Sequence, residues 1–284
     1  MGILIYICIF IFGLAVGSFL NCIIYRLALP NFSWENLGGL RGRSFCPSCK
    51  HILSWPDLIP LFSFLLLKGK CRYCQQKISW QYPLVEFSTA WLFVLIFNLQ
   101  FISTLSQFIT TLYLFIISCF LIIIFVYDLK HYIIPDKIIY PAIAVAFLYQ
   151  IISNFQWVAG GWRPISITNF QFLITNFYHP FLSAVGAALF FLFIVLISRG
   201  KWMGIGDIKL AFLMGLFLGF PNILVALFSA FLLGAIIGIG LIISGKKTLK
   251  SEVPFGPFLV TGTFIALFWG QEIINWYAKS LYIN

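Results

Sequence analysis

The chain reads as an all-α polytopic membrane protein, with about eight transmembrane helices and a small cysteine-stapled loop on the cytoplasmic side. Three observations predict this class. Apolar residues make up 61% of the 284 positions, charged residues only 9%, and the mean hydropathy is +1.00, far from the roughly 25% charged composition of soluble domains. Apolar runs of membrane-crossing length recur along the chain. The one long polar stretch, Arg26 to Tyr82, carries two Cys-x-x-Cys pairs.

The first run, Ile3 to Ile24, spans about 20 residues, enough to cross a bilayer as a helix rising about 1.5 Å per residue. It lacks the basic leader of a cleaved signal peptide and is expected to be a permanent anchor. Further spans are predicted at Leu84–Phe101, Phe108–Tyr127, Ile138–Ile152, Phe181–Ser198, Ile208–Phe220, Asn222–Ser244 and Phe258–Trp276. The sixth is short and glycine-rich, and only Pro221 separates it from the seventh.

Basic residues set the orientation. With the N-terminus outside, all of the 18 Lys and Arg residues except Arg163 and Lys279 fall in inner loops, as the positive-inside rule requires. That asymmetry accounts for the net charge of +10 without a nucleic-acid partner; the expected surroundings are membrane lipid. Asp128, Asp136 and Asp207 come to the cytoplasmic face. The chain divides into residues 1–100, two spans enclosing the 26–82 loop, and residues 101–284, six spans with short connections.

A polar loop of this length is expected to fold locally or to be functional. Cys46-Pro47-Ser48-Cys49 and Cys71-Arg72-Tyr73-Cys74 each present two thiolates, and together they complete a tetrahedral structural zinc site. Two disulfides or a redox pair are the competing readings, disfavoured on a reducing cytosolic side. Four sulfurs fill the coordination sphere, so a catalytic metal is not expected. Cys8, Cys22 and Cys119 lie in apolar spans and read as small packing residues.

Only eight residues are acidic, and two of them, Asp128 and Asp207, stand at the edges of apolar spans. A carboxylate there is costly unless hydrated, paired or used. Asp128 closes the third span, where the helix dipole disfavours a negative charge, so capping does not explain it. Asp207 opens the sixth span within Gly204-Ile205-Gly206-Asp207-Ile208-Lys209, where capping and catalysis are compatible and the glycines let another segment approach. Asp136, following Pro135, reads as a helix-start carboxylate. His51, His131 and His179 are too dispersed to compose a Ser-His-Asp triad, and His131 reads as a solvated interface residue.

In these motifs the chain resembles the type IV prepilin peptidases, membrane aspartyl proteases of the Gly-x-Gly-Asp type. The resemblance is carried in order by Gly13, Gly17-Ser18-Phe19, Asn21 and Arg26; by the cysteine knuckles with Ile59-Pro60 between them; by Tyr82-Pro83-Leu84-Val85-Glu86; by Asp128 with Ile134-Pro135-Asp136; by Gly204 to Lys209; and by Pro254-Phe255-Gly256-Pro257-Phe258. Gln81 and Leu58 depart from it, standing where a basic residue and Asn are common.

The resemblance implies a bifunctional enzyme of the bacterial inner membrane. Such an enzyme cuts the basic leader from type IV prepilins and type II secretion pseudopilins at the cytoplasmic face, then N-methylates the new terminus with S-adenosylmethionine. Asp128 and Asp207 would be the catalytic pair, and residues 1–100 the methyltransferase part. Two nearby carboxylates share one proton, so one activates water while the other polarises the scissile carbonyl. No Gly-rich strand-turn-helix for a nucleotide is found, and Gly13 and Gly17 read as a small-xxx-small helix contact. Presenilin-like or signal-peptide-peptidase-like proteolysis is the alternative within proteases. A proton-coupled transporter with an aspartate relay is the alternative outside them, although neither midplane aspartates nor repeated halves are present.

Overall fold

The computed structural model describes residues 2–29, 43–100, 104–153, 155–158, 161–164, 178–200, 202–245 and 253–282. Among these, the long elements are helices: α1 (Gly2–Leu27), the short α2 (Phe62–Leu66), α3 (Gln81–Leu99), α4 (Leu105–His131), α5 (Asp136–Ser153), α6 (His179–Ser198), α7 (Ile205–Leu218), α8 (Asn222–Ile243) and α9 (Gly256–Tyr282). Helices suit a bilayer because every backbone polar group is satisfied within the segment. Arg41, Lys201, Lys246, Lys247 and Lys250, used above for orientation, lie outside the described residues.

Eight helices coincide with the eight predicted runs, and seven of them are long and apolar enough to cross a membrane by length and composition. The exception is α7, whose 14 residues make a rod of about 21 Å, short of a hydrocarbon core of about 30 Å. The stretch between α5 and α6 opens with a two-stranded antiparallel hairpin, β1 (Phe155–Val158) and β2 (Gly161–Pro164), pairing Phe155 with Pro164 and Val158 with Gly161. Further on, the sequence repeats Thr-Asn-Phe at 168–170 and 175–177, which lie outside the described residues.

The chain forms two compact units, Met1–Ile123 and Ile124–Asn284, with the division inside α4. In the first, α1 and α3 run antiparallel, with Tyr6 against Phe97 and Asn98 at one end and Asn21 donating to the Tyr82 carbonyl at 3.1 Å at the other. Between these ends, a Cβ on Gly13 would stand 2.5 Å from the Ala90 Cα, and one on Gly17 would stand 2.7 Å from the Glu86 Cα. The two glycines therefore form the small-xxx-small contact expected of them, letting the backbones approach where lipid offers no hydrophobic drive. Gly17→Leu is accordingly expected to destabilise the protein by about 1–3 kcal/mol through overpacking, read as a lowered midpoint in thermal unfolding in detergent. Gly186→Ala, at a position with nothing within 4 Å, is expected to leave that midpoint in place.

In the second unit, α7 is the buried element: Leu210, Ala211, Leu213 and Met214 are fully enclosed. It packs on α5, α6 and α9. A Cβ on Gly215 would stand 2.4 Å from the Ala184 Cα of α6, and Gln150 of α5 donates to the Leu216 carbonyl at 3.0 Å. Helix α9 lies along α8, with Gly262 pressed on the Ala226 carbonyl. A short helix surrounded by longer ones can carry a polar end at membrane depth because its neighbours shield it from lipid.

Candidate functional site

Asp128 lies in the last turn of α4, and the left-handed Tyr132 (φ 57) ends the helix just beyond, its N–H bonding the Asp128 carbonyl at 2.9 Å. The side chain is buried, 4% exposed. Its Oδ2 accepts a hydrogen bond from the Gly256 N–H at 3.1 Å. Asp207 is also buried, 8% exposed, three residues past the Gly204 N-cap of α7, and its Oδ2 accepts the Gly204 N–H at 3.0 Å. The two carboxylates are close enough for the charge of Asp128 to act on Asp207. Each therefore has one oxygen anchored by a glycine N–H, which orients the carboxylate; among the described residues no ion pair to either one is formed.

The Gly-x-Gly-Asp glycines serve different ends. Gly204 supplies the N–H to Asp207. Gly206 supplies clearance, since a Cβ there would meet the Ile134 Cβ at 3.0 Å. The segment that approaches is thus Ile134-Pro135, the link from α4 to α5. Asp136 opens α5, where the helix dipole favours its charge, and pairs with Lys209 Nζ at 2.6 Å while remaining largely exposed. The Lys209 ammonium also lies 4.8 Å from the Tyr140 ring centroid. Sequence reading missed the Asp136–Lys209 pair; the signal available was two opposite charges, Asp136 in the first turn of α5 and Lys209 just beyond the first turn of α7. It noted Pro254 to Phe258 without assigning a partner to the Gly256 amide.

In the first unit the four predicted ligands converge: the sulfurs of Cys46, Cys49, Cys71 and Cys74 lie within 4.8 Å of one another, and Cys46 and Cys74 are 3.9 Å apart. A tetrahedral zinc site with bonds of about 2.3 Å requires sulfurs about 3.8 Å apart, so this cluster could hold a metal ion. Each knuckle is built alike. The first Cys accepts at its carbonyl the N–H of a left-handed residue, Lys50 (φ 60) or Gln75 (φ 57), and a bridge closes behind it, Phe45 with Ile52 and Lys70 with Lys77. His51 and Tyr73 stack across the knuckles with ring centroids 3.7 Å apart. Burial pushes the Cys46 thiol up, but the Cys49 and Ser48 N–H groups and the neighbouring thiols outweigh it and bring it down to about 7; a thiol ionised near neutrality is ready to ligate.

The same loop is tied to α3. Glu86, buried at 7% exposure, accepts the Leu61 N–H at 2.8 Å and a hydrogen bond from Ser18 of α1, and Leu61 is held at positive φ (57, with ψ −46) at the centre of a tight turn closed by the Phe62 N–H on the Pro60 carbonyl. Gln81, noted above as a departure, donates to Asn21 at 3.2 Å. Burial pushes the Asp57 carboxyl up, but hydrogen bonds from Ser54 and the charge of Arg72, 2.8 Å away, hold it below the usual carboxylate range. His131 is exposed beside Tyr127, and His179 opens α6; among the described residues no triad is assembled.

Comparison with known proteins identifies the family of the chain. The Bacterial Peptidase A24 N-terminal domain matches residues 11–100, and the Type IV leader peptidase family matches residues 115–239. The chain is 32% identical to the prepilin leader peptidase/N-methyltransferase of Aeromonas salmonicida (strain A449), over 96% of this chain and 94% of that protein. The chain belongs to the type IV leader peptidase family. Proteins of the same name from Bacillus subtilis (strain 168) and Legionella pneumophila are each 32% identical, over 95% and 96% of this chain and 97% and 94% of theirs. No solved structure matches. Within this family the buried Asp128 and Asp207 fall inside the matched peptidase segment, and the four cysteines fall inside the matched N-terminal segment.

Proposed function

We propose that this protein removes the basic leader peptide from type IV prepilins and type II secretion pseudopilins and N-methylates the new N-terminal residue. The observation that carries the first activity is the pair of buried carboxylates, Asp128 and Asp207, each anchored at one oxygen by a glycine N–H. The relatives' name supports both activities.

The chemistry follows from the residues. Asp128 and Asp207 act as the catalytic pair. The ionised member takes a proton from water, and the resulting hydroxide equivalent attacks the scissile carbonyl carbon. The protonated member hydrogen-bonds the carbonyl oxygen as negative charge develops there. The proton taken from water is then delivered to the leaving nitrogen as the C–N bond breaks, releasing the leader's carboxylate and the mature protein's amine. Holding each carboxylate by one oxygen keeps the other available for water and substrate, so little reorganisation is needed. The positive-inside asymmetry supports the cytoplasmic face of the bacterial inner membrane as the place of reaction.

Residues 101–284 are the peptidase part in this reading. Residues 1–100 are the methyltransferase part, with Cys46, Cys49, Cys71 and Cys74 holding a structural zinc. Zinc fits four thiols so spaced, and closes the loop without offering an open coordination position. S-adenosylmethionine would supply the methyl group. The described residues present no glycine-rich strand-turn-helix to receive it, and no residue is assigned to it.

Mass spectrometry of the N-terminus of a co-expressed prepilin tests both activities: a shortened product with one added methyl is expected. An uncut product returns the aspartate relay to consideration, and a cut, unmethylated product leaves a peptidase alone. Glu86→Gln, which weakens the hold on Leu61, is expected to lower the methylated fraction several-fold while cleavage stays near wild type. Equal loss of both products at normal membrane abundance would place this end of the loop in proteolysis.

A further inference from the structure

Asp128 stands at the C-terminal end of α4, where unpaired carbonyls make a negative charge unfavourable. The only compensation from another helix among the described residues is the Gly256 N–H, 3.1 Å from Oδ2 and 128 positions further along the chain. Gly256 is the first residue of α9, and an N–H there has no intrahelical partner, so it is free to point at a carboxylate.

The fit is close. A Cβ on Gly256 would stand 2.6 Å from Asp128 Oδ2 and 3.1 Å from its Cγ, distances no side chain can occupy without moving the carboxylate. The backbone that brings the amide to this place is fixed from both sides. The Phe255 ring sits in an aromatic cluster, with centroids 5.1 Å from Phe231, 6.1 Å from Phe258 and 6.3 Å from Phe191. Pro257 follows with its φ already set for a helix start.

We propose that Gly256 is a positioning residue for leader cleavage: its N–H fixes Oδ2 of Asp128, and its missing side chain leaves the carboxylate the space to hold that orientation. Gly204 also gives its N–H to Asp207, but from the N-cap of the same helix and with ordinary clearance, a Cβ there standing 3.9 Å from Oδ2; the steric part of the role belongs to Gly256. The proposal rests on the reading of Asp128 as a member of the catalytic pair.

Two measurements test it. In the first, Gly256→Ala is assayed for leader cleavage in detergent. An added methyl at 2.6 Å displaces the carboxylate, and a misplacement of order 1 Å costs about 100-fold in rate. The expected result is a fall in kcat of about that size with KM within about threefold, while Gly238→Ala, in open space, keeps wild-type rates. Activity of Gly256→Ala near wild type, or a change confined to KM, overturns the proposal. An inactive Asp128→Asn beside an active Gly256→Ala would do so while leaving the peptidase reading intact; an active Asp128→Asn would remove that reading instead.

The second measurement does not depend on the Ala variant folding. The chain contains two Phe–Gly bonds, Phe12-Gly13 and Phe255-Gly256, so labelling with carbonyl-13C phenylalanine and 15N glycine selects two amides. Asp128→Asn is expected to move one of these signals and leave the other in place. Both signals unmoved would overturn the proposal.

Discussion

Asp128→Asn and Asp207→Asn are each expected to abolish leader cleavage, with a loss of about 1,000-fold or more, within the range general acid–base catalysis supplies. Asparagine keeps the shape of aspartate, and its amide oxygen can still accept the glycine N–H that each carboxylate accepts now. Both variants should therefore fold and reach the membrane. What they lose is the exchangeable proton. Because the two residues act as one unit, the double variant should be little worse than either single one. Asp136→Asn provides the contrast: its partner is Lys209 on an exposed face, where an ion pair contributes about 0–1 kcal/mol, and most cleavage should survive. The check is the rate of leader removal from a purified prepilin at equal enzyme amounts. Robust processing by either of the first two variants would remove the pair from the mechanism.

Cys71→Ser is expected to remove the bound metal from a protein that otherwise carries about one zinc per chain. Cys71 is the most buried of the four cysteines, and its backbone N–H closes the second knuckle on the Gln76 carbonyl, so the loss should spread through the loop. Free energy of metal binding is folding free energy in so small a unit. The 43–80 region should become sensitive to protease, while the aspartate pair, built from α4, α7 and α9, should remain competent for cleavage. Metal analysis of reduced protein, with limited proteolysis, checks this. A wild-type protein free of zinc, or a variant that keeps it, would require another role for the thiols.

Features that depend on neighbours along the chain are readable in the amino-acid order. Spans are legible because a bilayer imposes a minimum apolar length, and several observed helices run about a turn past the predicted bounds at a polar end, as α3 begins at Gln81 and α4 ends at His131. The cysteine knuckles are legible because Cys-x-x-Cys is a complete local motif whose turn is closed by its own backbone. The aspartates are legible because a carboxylate at a membrane edge is so rarely neutral in cost.

Tertiary structure decided the rest. In lipid, apolar side chains carry little information about which helix faces meet, so close approach falls to small residues and hydrogen bonds. Gly215 on Ala184 and Gly262 on Ala226 are such choices, and composition alone does not say which of 22 glycines make them; the spacing of Gly13 and Gly17 marks a contact, but not Ala90 and Glu86 as its other side. Nor does it say that α7 is the buried helix of its unit, since its apolar composition is that of its neighbours. The Gly256 amide and the Asp128 carboxylate meet across 128 positions. Their contact exists only because α9 packs where its first N–H has no other acceptor.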